Sequence, residues 1–133
     1  PVDDSPMDLR QPTTIGALID AEDEQILHGG GFDHNYVVTG APGSLRPAAR
    51  VIEKHSGRVM EVLTTQPGIQ FYSGNMLPDA LSGKADQVYQ KRSGFCLETQ
   101  NFPDSPNKPQ FPSPVLRPGQ HYSQKTLFRF GTE

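Results

Sequence analysis

The sequence predicts an all-β fold that is mostly antiparallel and contains almost no helix. From residue 36 onward, short segments with a period of two residues recur to the end of the chain, as expected for strands. Thirteen glycines and thirteen prolines interrupt these segments, because proline removes a backbone donor and glycine permits tight turns. The hydrophobic content of 34% is modest but compatible with a β-rich globular domain.

The first 35 residues show little regular pattern. A short helical turn is expected within residues 12–18, and the acidic residues 20–24 are expected to form a solvated stretch. The segment HGGGFDHN at residues 28–35 follows. Its glycines let the backbone bend tightly and place polar side chains directly after the bend.

The strand pattern dominates the remainder of the chain. A His-Ser-Gly break at residues 55–57 predicts a hairpin turn between two strands, the second of which alternates its side chains between two faces. Six prolines within residues 103–118 predict a long loop, since no central strand tolerates that density. The predicted strands are residues 36–39, 49–53, 58–65, 69–72, 94–99 and 121–130.

Charge and composition exclude several classes of function. The net charge of −3 provides no basic field for a phosphate backbone, so nucleic acid is not expected as a partner. No apolar stretch approaches the roughly 20 residues that span a bilayer, and no export leader is visible. The single Cys96 and the absence of an Asn-x-Ser/Thr acceptor predict a cytoplasmic location.

Glu98 is the carboxylate whose sequence surroundings best suit acid–base chemistry. Its apolar neighbours in the predicted strand 94–99 would carry it into a partly desolvated place. A carboxylate in such a place can take and return protons near neutral pH. The alternative is a structural Glu at a strand end, paired with an Arg or Lys, and the residues alone favour this alternative.

Asp33 and His34 follow the glycine run. An ionised Asp on a tight loop has several acceptor sites for sugar hydroxyls, whereas the alternative is an Asx-type turn with a surface His. His28 and His34 alone do not make a metal site. The sequence contains no Gly-x-Ser-x-Gly motif, which esterase chemistry would require beside the glycine run. The glycine run also does not match the Gly-x-Gly-x-x-Gly pattern of a dinucleotide site. Phe71, Tyr72 and Phe95 are either a platform for a sugar ring or ordinary core residues.

Four ordered blocks resemble the aldose 1-epimerase family. GGFDHNY at residues 30–36 is similar to the Gly-Tyr/Phe-Asp-His-Asn block of that family. RVMEVLTTQPGIQFYSGN at residues 58–75 is similar to its central strand pair. GFCLETQ at residues 94–100 and PGQHY at residues 118–122 complete the pattern, with the proline-rich loop between them.

The resemblance implies a large β-sandwich with a sugar cleft across one sheet and no metal or organic cofactor. The implied reaction interconverts the α and β anomers of aldoses such as galactose and glucose. A glutamate draws the proton from the C1 hydroxyl, a histidine protonates the ring oxygen, and the ring opens and closes again. Glu98 stands at the position of the base, Asp33 and Gln66 at sugar-binding positions, and His34 in a supporting role. Phe71 is included among the substrate-binding candidates as part of the possible aromatic platform.

The resemblance makes residues 1–133 the incomplete C-terminal portion of a single domain. The family's acid histidine, a second histidine and a sugar-binding arginine come from an N-terminal portion, and no histidine here matches the acid. The chain begins at Pro1 in a loop-like run, which we interpret as entered from upstream. The expected partners are the aldose and either that N-terminal portion or another chain that completes the sheet, and the isolated chain is expected to be inactive.

Two other functions remain open at this point. One is a non-catalytic carbohydrate-binding module that keeps Asp33 and Gln66 without the proton relay. The other is a relative of the hexose-6-phosphate 1-epimerases, which requires a cationic pocket for the phosphate. Arg46, Arg92 and Arg117 are the candidates for such a pocket.

Overall fold

The computed structural model describes all residues from 1 to 133 and confirms the mostly antiparallel all-β prediction. Short 3-10 turns cover Lys84–Asp86 and Ser105–Asn107. The helices and strands are α1 (Ile15–Leu18), α2 (Glu24–Gly29), β1 (Asp33–Val37), β2 (Arg46–Glu53), β3 (Arg58–Thr64), β4 (Gly68–Tyr72), β5 (Leu81–Ser82), β6 (Val88–Tyr89), β7 (Cys96–Gln100) and β8 (Thr126–Thr132).

The strands form three sheets, with the orders β1-β4-β7, β2-β3-β8 and β5-β6. The chain divides into two compact units. Unit 1 contains residues 1–34 and 70–97, and unit 2 contains residues 35–69 and 98–133. None of the helices has the length and apolar character needed to cross a membrane.

The predicted hairpin is present in unit 2 as β2 and β3, and β8 pairs antiparallel with the other edge of β3. Gly57 makes the turn with a φ of 68°, which favours glycine. Glu53 fastens the same turn by accepting hydrogen bonds from the main-chain amides of His55 (3.0 Å) and Ser56 (2.8 Å). The Ser56 hydroxyl, these amides and the His55 ring lower the pKa of Glu53 to about 2.

One helix was not predicted. The acidic residues 20–24 are exposed or half-buried, as expected for a solvated stretch, but no helix was expected after them. Asp23 caps the start of α2 by accepting from the amides of Gln25 (2.9 Å) and Ile26 (3.4 Å). Gly30, with a φ of 61°, ends the helix in the left-handed conformation. The prediction of an irregular segment was therefore wrong here, because the acidic residue acts as a helix cap.

The proline-rich loop is confirmed, whereas the closing strand is shorter than predicted. Residues 103–118 contain only the 3-10 turn Ser105–Asn107. β8 begins at Thr126 instead of residue 121, because residues 121–124 line a pocket with Gln66. The amide of Lys125 then donates to the Thr65 hydroxyl at 2.8 Å, immediately before the strand starts.

Each unit has its own buried residues. In unit 1, Phe32 and Ile26 are almost completely buried, and the Phe32 ring stacks on Phe71 with centroids 4.9 Å apart. In unit 2, Val62 and Thr64 of β3 are fully buried. These contacts anchor β1, β3 and β4, on or beside which most of the candidate site residues lie.

Candidate functional site

The glycine turn before Asp33 is fixed by what we call the turn network: the main-chain groups of Gly29 and Phe32 with the side chains of Ser73 and Asn75. The Asn75 amide donates to the carbonyls of Gly29 (3.0 Å) and Phe32 (2.8 Å). The Ser73 hydroxyl donates to Asn75 Oδ1 at 2.7 Å and accepts from the Phe32 amide at 3.0 Å. Because Ser73 and Asn75 are buried, these hydrogen bonds fix the backbone that leads into Asp33.

Gly31 shows how tightly this turn is packed. Its φ is 133°, and a Cβ at this position would lie 2.8 Å from Asn75 Cγ and would overlap Asn75 Oδ1. The turn network therefore occupies the volume that any side chain would need. The glycine run in the sequence is explained by this close approach as much as by the bend.

His34 holds the main chain of Asp33. Its Nδ1 accepts a hydrogen bond from the Asp33 amide at 3.0 Å, so the ring proton is on Nε2, which donates to the Gln25 carbonyl at 3.1 Å. Both ring nitrogens are thus engaged within unit 1. This arrangement favours the supporting role expected for His34 over direct contact with a ligand.

The Asp33 carboxylate accepts a hydrogen bond from Gln70, a residue that was not among those predicted from the sequence. Gln70 Nε2 donates to Asp33 Oδ1 at 2.8 Å, and Gln70 Oε1 is buried without a hydrogen-bond partner. Gln70 lies between Ile69 and Phe71 on β4, both of which are buried. Strict alternation along this strand was the available signal, since it directs Gln70 to the opposite face.

Phe71 lies in the packed interior of unit 1. Its side chain is 6% exposed, stacks on Phe32, and meets the edge of Phe95 with centroids 6.2 Å apart. These contacts favour the core role that the sequence left open for Phe71. Contact between Phe71 and a sugar stays a prediction.

Two other polar groups of the Asp-His-Asn-Tyr block are buried without partners. They are the Asn35 Nδ2 amide and the Tyr36 hydroxyl, both on β1. Burial raises the pKa of Tyr36 to about 12. Buried polar groups usually find hydrogen-bond partners, whereas these two find none within the chain.

Glu98 lies on β7 with its side chain exposed, and its carboxylate makes no hydrogen bond or ion pair. The sequence predicts either partial desolvation of Glu98 or its pairing with a cation, and the structure shows neither. The neighbouring Leu97 and Thr99 are half-buried, so the other face of β7 is the covered one and Glu98 lies on the exposed face. Cys96, two residues earlier on the same face, is exposed and free.

Gln66 is buried at a pocket in unit 2. Its side-chain Nε2 donates to the Tyr122 hydroxyl at 3.0 Å, and its main-chain N–H donates to Thr64 Oγ1 at 3.0 Å. The pocket has a volume of about 460 Å³. The residues that line it are Gly43, Thr65, Gln66, Asn101, Ser113, Pro114, Val115, Leu116, Gln120, His121, Tyr122, Ser123 and Gln124.

Arg46 is a buried cation without a carboxylate partner. Its guanidinium instead donates to four main-chain carbonyls, those of Thr39 (3.2 Å), Ser44 (3.1 Å), Thr64 (3.3 Å) and Gln66 (2.9 Å). This side chain fixes the backbone of the pocket at Gln66. Four of its five N–H groups donate to these carbonyls, which argues against a role in binding phosphate.

Arg92 is also engaged internally. It pairs with Asp20 at 2.9 Å and donates to the Gly30 carbonyl at 2.8 Å. Arg117 lies exposed on the proline-rich loop. Two of the three arginines considered for a phosphate pocket are therefore occupied, and no group of three or more metal-ligating side chains is assembled.

Comparison with known proteins identifies what the chain is similar to. The sequence profile described as Aldose 1-epimerase matches residues 1–129. The galactose mutarotases of Rattus norvegicus and Homo sapiens are 48% and 49% identical over 130 residues, covering 98% of this chain and 36% of theirs. The aldose 1-epimerase of Escherichia coli K12 is 35% identical over 128 residues, covering 95% of this chain and 36% of its own.

A solved structure has the same fold. The crystal structure of an aldose epimerase homologue from C. elegans superimposes with a TM-score of 0.82 at 26% identity. The match covers 98% of this chain and 38% of that one. The chain thus spans little more than a third of the length of the relatives it matches.

Proposed function

This chain belongs to the aldose 1-epimerase family, and we propose that it is the C-terminal portion of a single mutarotase domain. The proposed activity interconverts the α and β anomers of aldoses such as galactose and glucose. The observation that carries the proposal is the similarity to galactose mutarotases along 98% of the chain, which includes the blocks of Asp33 and Glu98.

In this proposal Glu98 is the general base. Its carboxylate takes the proton from the C1 hydroxyl and returns it after the ring has closed on the other face. An acid from the N-terminal portion protonates the ring oxygen, and each positioned acid or base contributes typically 10²–10⁴-fold. The exposed, unpaired carboxylate supports this role, because no internal partner has to be displaced by a substrate.

Asp33 binds sugar hydroxyls, and we add Gln70 to the residues that the sequence analysis proposed. The Asp33 main chain is held by His34 and its carboxylate by Gln70 Nε2, so the acceptor is oriented before a ligand arrives. Gln70 acts by orienting this carboxylate, since its own Oε1 is buried. Gln66, fixed by Arg46 and Tyr122, stays in the proposed set of substrate-binding residues.

Polarimetry of freshly dissolved α-galactose tests this activity. Residues 1–133 are joined to the portion of the rat mutarotase that precedes the matched segment, and Glu98→Gln is compared with Glu61→Gln, a surface carboxylate that faces Arg50. We expect Glu98→Gln to lower the rate by roughly 10²–10⁴-fold and Glu61→Gln to leave it unchanged. Full activity of Glu98→Gln would show that Glu98 is not the base. Full activity of the isolated chain would show that the acid does not come from the N-terminal portion.

The second candidate is a carbohydrate-binding module without turnover. The observation that favours it is that Asp33 and Gln70 are already oriented, whereas no titratable group pairs with Glu98. Titration calorimetry with galactose separates the two functions. Binding that is lost in Asp33→Ala, together with no mutarotation by the joined protein, identifies the module.

We also propose a cytoplasmic location. Cys96 is exposed and free, and a reducing compartment keeps such a thiol in that state. Cell fractionation with a cytosolic marker tests the location, and recovery in a secreted fraction contradicts it.

A further inference from the structure

Tyr122 is a residue of unit 2 to which the sequence assigns no role. Its hydroxyl accepts a hydrogen bond from Gln66 Nε2 at 3.0 Å, although Tyr122 itself is 62% exposed. A phenol hydroxyl that accepts in this way keeps its own proton for a further hydrogen bond. No group of the chain takes that proton, so the Tyr122 hydroxyl has a donor to spare beside Gln66.

The Gln66 side chain is held in one orientation. Gln66 is 8% exposed, its main-chain N–H donates to Thr64 Oγ1 at 3.0 Å, and its carbonyl accepts from the Arg46 guanidinium at 2.9 Å. The hydrogen bond to Tyr122 then decides which end of the side-chain amide is engaged within the chain. Because Nε2 is engaged, Oε1 remains as the acceptor that Gln66 can offer to the pocket it lines.

The segment that carries the tyrosine is tied at both ends. We call residues 117–125 the strap. At its start, the Arg117 amide donates to Gln120 Oε1 at 2.7 Å, and the Gln120 amide donates to the Arg117 carbonyl at 3.0 Å. At its end, the Thr65 amide donates to the Lys125 carbonyl at 3.0 Å, and the Lys125 amide donates to Thr65 Oγ1 at 2.8 Å. These contacts do not involve the phenol hydroxyl, so the strap should stay in place when that hydroxyl is removed.

The pocket beside the strap is suited to a neutral, hydroxyl-rich ligand. Side-chain amides and hydroxyls supply its polar groups, no Asp, Glu, Lys or Arg lines it, and His121 is its one imidazole. Its volume of about 460 Å³ lies within the range of roughly 300–1,000 Å³ that small-molecule pockets occupy. Amides and hydroxyls can match the hydroxyls of a sugar, whereas a phosphate ester would require a cationic partner.

We propose that Tyr122 binds the aldose together with Gln66: its hydroxyl holds Gln66 Nε2 and donates its own proton to a sugar hydroxyl, while Gln66 Oε1 accepts from the sugar. One donor beside one acceptor matches a hydroxyl group, which both donates and accepts. The inference rests on the proposed role of Gln66 in substrate binding. It involves neither Glu98 nor the transfer of a proton in the reaction.

A galactose titration followed by NMR tests the proposal. The joined protein of residues 1–133 and the preceding portion of the rat mutarotase is labelled with 15N-glutamine, and the Gln66 side-chain signal is assigned by its loss in Gln66→Glu. Tyr122→Phe removes only the hydroxyl. Tyr89→Phe makes the same change at an exposed tyrosine on β6 of unit 1 and is the matched control.

The two variants should differ in both the free and the bound protein. Without sugar, the Gln66 side-chain signal should move in Tyr122→Phe and stay in place in Tyr89→Phe. We expect Tyr122→Phe to weaken galactose binding roughly threefold to tenfold, as for the loss of one neutral hydrogen bond, and Tyr89→Phe to leave it unchanged. Galactose 6-phosphate should bind no more tightly than galactose.

Monodeoxy forms of galactose separate direct contact from support of Gln66. The form that lacks the contacted hydroxyl should bind equally to the wild type and to Tyr122→Phe, whereas the other forms should keep the difference between these two proteins. A difference of the same size for every form would overturn the contact. Thermal unfolding followed by circular dichroism controls for folding, and the midpoint of Tyr122→Phe should match that of the wild type.

Three further outcomes overturn the proposal: no shift of the wild-type Gln66 signal on adding galactose, equal affinity of the wild type and Tyr122→Phe, or an unmoved Gln66 signal in sugar-free Tyr122→Phe. Polarimetry on the same samples keeps the two proposals apart. Binding that depends on Tyr122 without mutarotation would contradict the proposed activity and support this inference. Mutarotation in which Tyr122→Phe has the wild-type KM would do the reverse.

Discussion

The carboxylate of Asp33 is held by neighbouring side chains, whereas that of Glu98 is not. Asp33 follows a turn that is fixed by buried hydrogen bonds from Ser73 and Asn75, and its carboxylate is itself held by Gln70. Glu98 is exposed on an end strand and makes no hydrogen bond or ion pair. The chain therefore orients the proposed sugar-binding residue by itself, whereas none of its own side chains holds the carboxylate of the proposed base.

The largest effect that tests this contrast is expected at the glycine turn. Gly31→Ala forces a Cβ against Asn75 at a φ of 133°, and we expect a loss of roughly 3 kcal/mol or more in the free energy of unfolding. Urea denaturation followed by circular dichroism measures it. Gly16→Ala is the matched control, since nothing lies within 4 Å of its Cβ in α1, and it should be neutral or slightly stabilising. Equal midpoints for the two variants would show that the turn is not tightly packed.

Removing the amide of the turn network should have the next largest effect. Asn75→Ala leaves the carbonyls of Gly29 and Phe32 without this donor, and we expect a loss of about 2 kcal/mol in the free energy of unfolding. Asn107→Ala is the comparison, because Asn107 is exposed and bonds only within its own turn, so its loss should stay below about 0.5 kcal/mol. A loss for Asn75→Ala as small as that of the control would mean that water replaces the amide freely.

Low pH should destabilise the β2-β3 hairpin turn of unit 2 and should not destabilise the turn network. The pKa of Glu53 is about 2 in the folded chain, below its ordinary value of 4.5, so its stabilising effect is present above about pH 4.5 and is lost as the pH falls towards 2. The turn network consists of neutral groups and does not titrate in this range. Amide exchange at Ser56 should therefore lose protection between pH 5 and 2.5, whereas exchange at Phe32 should not.

The control for this prediction is Glu53→Gln. With no titrating carboxylate, Ser56 should have the same low protection at both pH values. A wild-type chain in which Phe32 loses protection before Ser56 would reverse the assignment of acid sensitivity to the two regions.

The smallest effect on stability is expected at Glu98. Glu98→Gln should change the free energy of unfolding of the isolated chain by less than about 0.5 kcal/mol, because no contact of the carboxylate is lost. The same denaturation measurement applies, with Arg129→Ser as an exposed control. A loss above 1 kcal/mol would reveal contacts that hold Glu98 and would remove the contrast with Asp33.

Much of the fold was predictable because its signals are local. Period-two alternation and the His-Ser-Gly break located β2 and β3 to within a few residues. The helix α2 was missed because Asp23 was taken as part of an acidic surface, although an Asp cap and the following Gly30 were both visible in the sequence. The late start of β8 was not predictable, since it depends on contacts with Thr65 and Gln66, about 60 residues away in the sequence.

The contacts of the candidate site residues could not be predicted from the sequence, and the roles of these residues stay predictions. The resemblance pointed to Asp33, but Gln70 emerged only when β4 was seen to bury Ile69 and Phe71 and to turn Gln70 towards Asp33. The desolvation expected for Glu98 was inferred from its neighbours along the strand. Burial depends on which face of the strand is covered, and Glu98 lies with Cys96 on the exposed face of β7.

The free thiol of Cys96 provides a natural labelling site close to Glu98. It is the only cysteine in the 133 residues, it is exposed, and it lies two residues from Glu98 on the same face of β7. A maleimide dye therefore labels one defined position without any engineered mutation. Its reaction rate measures how open that face is to reagents, and a fall in this rate on adding another polypeptide reports, in real time, that the proposed base has been covered.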